Sequence, residues 1–181
     1  MNEVSPMKPE AERPSLSKIV GRVAHAIDKI ISPGDVAELR RLRPDIVSAA
    51  FYKLVAGNIA PEQDWPIDGP ARDAREHRWA VILQAMAQLR GLHNTKQGLG
   101  ESLARADYSE LRLVRLLRAQ DDTLEHEVRT CAHFLAAKAA ACNQTDIANL
   151  VLSEGREYAE SVRRHIARSY YNKTHSKEDK S

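Results

Sequence analysis

Three arginines spaced three residues apart carry the clearest chemical pattern in this sequence. Arg112, Arg115 and Arg118 alternate with aliphatic residues. At about 100° per residue the arginines share one helix face, and the opposite face is apolar: Leu113, Val114, Leu116 and Leu117. Guanidinium groups bind phosphate oxygens through paired hydrogen bonds, so this face is a candidate phosphate-binding surface. The spacing alone is also typical of a solvated helix face, because arginine is a good helix former.

A second basic group precedes a proline. Arg40, Arg41 and Arg43 stand just before Pro44, where we predict the end of a helix. Cations there interact favourably with the helix dipole, so a structural role is as good an explanation as a binding one. Lys96 lies in a glycine-rich loop. Only the fold decides whether these residues and the three arginines form one continuous basic surface.

Catalytic and metal-binding patterns are missing from the sequence. It contains no phosphate-binding loop, no dinucleotide-binding glycine motif and no His-Glu-x-x-His or Glu-x-x-His motif. His126 and His133 lie near Cys131, but no further metal ligands are obvious beside them. Cys131 and Cys142 would be about 16 Å apart on a continuous helix, so we expect small core residues in a reducing compartment. The sequence therefore predicts no enzyme activity, metal or cofactor.

The composition indicates a helical protein that forms one or two small domains. The chain has 181 residues, of which 43% are hydrophobic and 29% are charged. It has 25 Ala, 17 Leu and 18 Arg against nine aromatic residues, which favours helices over strands. The net charge of +2 does not decide for or against a nucleic-acid partner. We find no secretory signal and no segment long enough to span a membrane, so we expect a cytoplasmic protein.

Apolar spacing and helix-end signals predict an all-α bundle of about seven to nine helices in two halves. Helices are expected to begin near residues 16, 33, 44, 72, 99, 107, 122 and 145. Ser32 and Pro33 mark the second start, Gly57 the third end, and Tyr171 the end of the last helix. Capping boxes from Asp107 to Glu110 and from Asp122 to Glu125 mark two more starts. We predict a flexible N-terminus (1–14), an N-terminal helical half (15–90), a C-terminal helical bundle (91–171) and a flexible tail (172–181).

Five sequence blocks resemble a known family in their order and spacing. They are GDVAELRRLRP from residue 34, FYKLV from 51, RWAVIL from 78, LGESLAR from 99 and SELRLVRLLRA from 109. This order is similar to CasB, the small subunit of the type I-E CRISPR surveillance complex Cascade. The resemblance extends from about residue 34 to residue 171.

The resemblance implies an all-α subunit without enzymatic activity that serves antiviral defence. CasB-like subunits lie in two copies along the belly of Cascade against the backbone subunits, and the resemblance implies the backbone subunits, the large subunit and a second copy of the chain as partners. They hold the CRISPR RNA–target DNA hybrid and the displaced strand of the R-loop through basic residues, without reading the sequence. In this chain the corresponding nucleic-acid-binding candidates are Arg40, Arg41, Arg43, Lys96, Arg105, Arg112, Arg115 and Arg118.

Two other functional classes compete with this interpretation. Residues 33–57 resemble a helix-turn-helix, which would make the chain a stand-alone DNA-binding regulator, although the usual turn spacer is missing. A helical nuclease would need a cluster of acidic or histidine residues, and the sequence offers none.

Overall fold

Nine α-helices and no β-strand occur in the part of the chain that the computed structural model describes, residues 15–43, 46, 48–62, 66 and 68–178. This confirms the predicted all-α bundle and its number of helices. None of the described helices is long and apolar enough to cross a membrane. Five-residue π-helical turns at Ala26–Ile30 and Val55–Ile59 continue the first and the third of these helices. The helices are α1 Leu16–His25, α2 Pro33–Arg40, α3 Ala49–Leu54, α4 Gly69–Gln88, α5 Leu99–Arg105, α6 Glu110–Arg118, α7 Asp121–Ala137, α8 Gln144–Leu152 and α9 Ala159–Glu178.

The start of α2 follows the local sequence signal. Ser32 is the N-cap, and its Oγ accepts a hydrogen bond of 3.0 Å from the Asp35 backbone N–H. Pro33 takes the first helical position, where its missing N–H leaves no helical hydrogen bond unmade. The predictions made for residues 1–14, Pro44 and residues 179–181 lie outside the described residues.

Both predicted capping boxes are wrong, because tertiary contacts engage the two glutamates. Helix α6 begins at Glu110, whose carboxylate accepts a 2.8 Å hydrogen bond from the Tyr171 hydroxyl of α9. Asp107 instead has a left-handed backbone (φ 61°) in the turn between α5 and α6. Helix α7 begins at Asp121, and Glu125 contacts the His77 ring of α4.

Two predicted helix ends are also wrong. The third helix continues past Gly57 to Ile59, because the additional turn buries Val55 and Ile59 in the core. The predicted last helix is two helices, separated by residues 153–158 with Gly155 in the left-handed region (φ 71°). Asn143, and not Thr145, caps the first of these helices. The second continues to Glu178, beyond the predicted end at Tyr171.

One hydrophobic core connects helices from both predicted halves. Helix α4 packs on α2, α7 and α8, and α1 also packs on α8. Trp79, Ile82 and Leu83 of α4 are completely buried in this shared core. The predicted division of the chain into two halves near residue 91 stays a prediction.

Gly100 allows α5 and α9 to approach each other closely. A Cβ at this position would lie 2.1 Å from the Ile166 carbonyl oxygen and 2.8 Å from the Tyr170 backbone nitrogen. The Glu101 N–H donates to Ser169 Oγ at 3.1 Å, and the Tyr170 hydroxyl donates to the Tyr108 carbonyl at 2.6 Å. These contacts fix α9 against α5 and against the residues that precede α6.

Candidate nucleic-acid interface

The predicted arginine face of α6 is present in the structure. Leu113 and Leu116 are completely buried, whereas Arg112, Arg115 and Arg118 are exposed on the other side of the helix. The helix packs against α7 and α9, which hold its apolar side in the core. The local pattern therefore places all three guanidinium groups on one surface.

The three arginines differ in what they contact. Arg115 forms an ion pair with Glu127 of α7, whose side chain is only 3% exposed. The Arg112 guanidinium lies 6.0 Å from the ring centre of Tyr108 and 5.9 Å from that of Phe134, within the range of cation–π interactions. Arg118 makes no hydrogen bond or ion pair with any described residue. Arg118 is therefore the member of this face that is most available to an external anion.

Leu111 interrupts the arginine face with an apolar side chain. It lies seven residues before Arg118, on the same side of α6, and is 73% exposed. The sequence pattern, with arginines on one face and aliphatic residues on the opposite face, did not predict an exposed leucine among the arginines.

The other predicted residues lie on different elements. Arg40 ends α2, and its Nε donates to the Ala87 carbonyl at 3.1 Å; Arg41 and Arg43 follow it and are exposed. Arg105, at the end of α5, forms an ion pair of 2.6 Å with Glu101. Lys96 is exposed in the loop between α4 and α5. The structure thus places the eight candidates at four positions in the fold, and only the three arginines of α6 share a single helix face.

Basic residues of α9 border the same surface, and sequence reasoning missed them. Arg118 and Arg164 line one cavity of about 360 Å³ between the end of α6 and the start of α9. Arg168 follows Arg164 by one helical turn and is also exposed. The four-residue spacing of these two arginines was visible in the sequence, but nothing in it placed α9 beside α6.

Glu160 precedes Arg164 by four residues, a spacing that predicts an ion pair between them on α9, and this prediction is wrong. Glu160 pairs with Arg163 at 3.2 Å, and not with Arg164. Arg163 is only 12% exposed and also donates to the Ala119 carbonyl at 3.3 Å, so it connects α9 to the end of α6. Arg164 uses its Nε on the Glu160 carbonyl instead, at 3.2 Å.

The cysteines and histidines form no reactive cluster in the described ranges, where no group of three His, Cys, Asp or Glu residues could hold a metal ion. Cys131 and Cys142 are free and buried, as predicted for small core residues. Burial raises the pKa of the Cys142 thiol to about 12 and also raises the pKa of Cys131. His126 and His133 are exposed on α7.

A cavity of about 400 Å³ between α4, α7 and α8 is rich in acidic residues, in contrast to the arginine-rich surface of α6 and α9. Five carboxylates line it together with His77 and Arg78. One of them, Glu125, contacts the His77 ring; the other four are Asp73, Asp121, Asp122 and Glu154. Negative charge of this density repels phosphate. The α6–α9 surface is therefore the better site for a nucleic-acid backbone.

The fold and this surface define an all-α bundle with an arginine-lined face. The family model for CRISPR-associated protein Cse2 matches residues 35–171, so the chain belongs to the Cse2 family, which is also called CasB. This confirms the resemblance found in the sequence. Membership indicates a structural subunit of a CRISPR Cascade complex.

A solved structure of the family has a similar fold. The crystal structure of CasB from Thermobifida fusca aligns with a TM-score of 0.68 at 17% sequence identity, over 86% of this chain and 97% of that chain. At this identity the likeness concerns the fold alone. No curated protein sequence matches the chain.

Proposed function

We propose that this chain is a non-catalytic Cascade subunit that binds nucleic-acid backbone and stabilises the R-loop. The observation that carries the proposal is the exposed face of α6, where Arg112, Arg115 and Arg118 lie together and Arg118 has no partner among the described residues. The partners in this proposal are CRISPR RNA, target DNA, the backbone and large subunits of Cascade, and a second copy of the chain. Its cytoplasmic location stays a prediction.

The mechanism is electrostatic. Guanidinium groups that neutralise phosphates release counterions, so affinity falls steeply with salt and carries no information about base sequence. A strand displaced from a duplex reanneals unless something holds it, and a positively charged surface favours the open state without a covalent step. Only nine of the 181 residues are aromatic, which favours backbone contacts over base stacking.

The predicted residues outside α6 differ in how available their charges are to an external phosphate. Arg41 is exposed and has no side-chain partner within the described residues, so it is the best candidate of its group. Arg40 already donates to a backbone carbonyl, and the charge of Arg105 is offset by Glu101. We therefore expect α6 to contribute most, with Arg41, Arg43 and Lys96 as additional phosphate contacts.

The experiment that tests the proposal changes Arg112, Arg115 and Arg118 together to Gln. Glutamine keeps a good helix former and a polar end while it removes the charge. The variant should fold and enter the complex, but target DNA binding should weaken. The slope of log affinity against log salt should decrease by about two to three, roughly one for each lost contact, with the lower value if Glu127 already neutralises Arg115.

The matched control changes Lys18, Lys29 and Lys53 to Gln, which removes the same charge from α1, from the π-helical turn that continues it and from α3. Equal losses in both variants would mean that net charge matters and the α6 face does not. Failure of an arginine variant that still folds to assemble would place these residues at a protein interface, and circular dichroism verifies the fold because the variant leaves the buried Glu127 without its partner. Sequence-specific footprints made by the chain alone would favour the regulator instead.

A further inference from the structure

A cavity of about 210 Å³ lies between α1, the end of α4 and the start of α8. None of the described residues that line it belongs to α6 or α9. Met86 and Leu89 give it an apolar wall. The space is far larger than one water molecule, whose share of liquid volume is about 30 Å³. The cavity can therefore hold a small organic group.

Two residues that line this cavity each have a buried polar atom without a hydrogen-bond partner in the described part of the chain. These atoms are Nε2 of His93 and Oε1 of Gln144. Gln144 as a whole is only 1% exposed. Buried polar groups of folded proteins nearly always have a partner, because leaving one unpaired costs free energy. The two atoms therefore indicate a polar ligand.

Neighbouring hydrogen bonds fix which of the two atoms donates. The Gln144 backbone N–H donates to His93 Nδ1 at 3.3 Å, so the proton of the neutral ring is on Nε2. Burial lowers the pKa of His93, which keeps the ring neutral at neutral pH. The side-chain nitrogen of Gln144 donates to the Leu89 carbonyl at 2.9 Å, which leaves Oε1 as the acceptor. The cavity thus offers one N–H donor and one carbonyl acceptor.

The acidic and the basic residue that line the cavity engage each other. Arg90 donates to the Asp28 backbone carbonyl at 2.8 Å, and its Nε lies 3.8 Å from the Asp28 carboxylate. An anion in the cavity would meet the Gln144 oxygen, and a cation would meet the His93 N–H. A neutral ligand avoids both of these unfavourable contacts.

We propose that this cavity binds a neutral carboxamide through His93 and Gln144. The carbonyl oxygen of the carboxamide accepts from His93 Nε2, and its amide nitrogen donates to Gln144 Oε1. A carboxamide carries its acceptor and its donor on two different atoms, so it serves both side chains at once. This group occurs in small molecules and in the asparagine and glutamine side chains of other proteins. The inference does not rest on the proposed function, because it uses none of the candidate nucleic-acid-binding residues.

The test titrates benzamide into the isotope-labelled full-length chain and follows the amide signals by NMR. The dissociation constant should be about 1 mM for a ligand of this size, and the side-chain amide signal of Gln144 should shift. Benzoate lacks the donor, and benzyl alcohol has its donor and acceptor on one atom. Each should bind about tenfold more weakly than benzamide, which corresponds to one lost hydrogen bond.

Three variants connect the binding to the cavity. Gln144→Met removes the acceptor with little change in size and should weaken benzamide binding about three- to tenfold. Gly21→Leu fills the cavity from α1, where an added Cβ meets no atom within 4 Å, and should abolish binding. Thr145→Val is the matched control, because the Thr145 hydroxyl is also buried without a described partner but does not line the cavity. It should bind benzamide as the wild type does, and thermal unfolding verifies the fold of each variant.

The outcomes decide the site, the ligand class and its source. Absence of saturable shifts in the wild type overturns the inference, and so does unchanged affinity in a folded Gln144→Met or Gly21→Leu chain. Equal binding of benzoate or benzyl alcohol overturns the carboxamide class. Incorporation of the Gly21→Leu chain into Cascade then separates the two sources. A loss of incorporation assigns the carboxamide to a side chain of a partner subunit, and normal incorporation assigns it to a free small molecule.

Discussion

Changing Gly100 to Ala should measurably destabilise the protein, because the backbone of α9 occupies the space of the added methyl group. The new Cβ would lie 2.1 Å from the Ile166 carbonyl oxygen, and real Cβ contacts essentially never fall under 3.0 Å. Helices α5 and α9 would have to separate by close to an ångström. The neighbouring side chains of Leu99, Leu103 and Tyr170 are buried and cannot make room by rotating into solvent.

The expected magnitude follows from two opposing effects. Overpacking a core costs about 1–3 kcal/mol, and a clash with backbone belongs at the upper end of that range. Alanine in a helix regains about 0.5–1 kcal/mol relative to glycine. The free energy of unfolding should therefore fall by about 2 kcal/mol, which lowers the melting temperature of a chain of this size by about 4–8 °C.

Thermal unfolding followed by circular dichroism measures this shift. Gly21 provides the matched control, because it is also helical and an added Cβ there meets no atom within 4 Å. Changing Gly21 to Ala should raise the melting temperature by about 1–4 °C. If the Gly100 variant were as stable as the Gly21 variant, the close approach of α5 and α9 would be refuted, and with it the placement of Arg164 beside α6.

Three further predictions follow from buried or paired groups. Changing Glu127 to Gln releases Arg115 from its ion pair, so the salt slope of single-strand binding should increase by about 0.7, and an unchanged slope would mean that Arg115 does not face the nucleic acid. Because burial raises the pKa of both Cys131 and Cys142, a thiol-specific disulfide reagent at about pH 8 should label neither until guanidinium unfolds the chain; rapid labelling of the folded protein would contradict this. Burial lowers the pKa of His93 below 6.5, so the unfolded chain binds a proton first and stability should fall as pH decreases below about 6.5. Between about pH 7.5 and 5.5 the melting temperature of a His93→Asn variant should fall less than that of the wild type. Equal decreases would mean that His93 does not cause the pH dependence of stability.

Helix type and several helix positions follow from local sequence. Alanine and leucine content predicts helices, and Ser32 with Pro33 marks the start of α2, because an N-cap involves only residues within one turn. The predicted capping boxes are wrong because residues far away in the sequence contact both of their glutamates. Glu125 contacts His77, 48 positions away, and Glu110 contacts Tyr171, 61 positions away. No local signal announces a competing partner at such a separation.

The candidate site shows the same division between local and distant causes. The sequence by itself determined that Arg112, Arg115 and Arg118 share an exposed face, since a three-residue spacing rotates by a fixed angle on any helix. Only the tertiary structure decided which of these charges is available, because Glu127 reaches Arg115 from a different helix. Arg164 and Arg168 border the arginine face of α6 only because α9 packs beside α6. Gly100 permits the packing of α9 because it has no side chain. Charge availability depends on neighbours in space, and the order of residues along the chain does not record them.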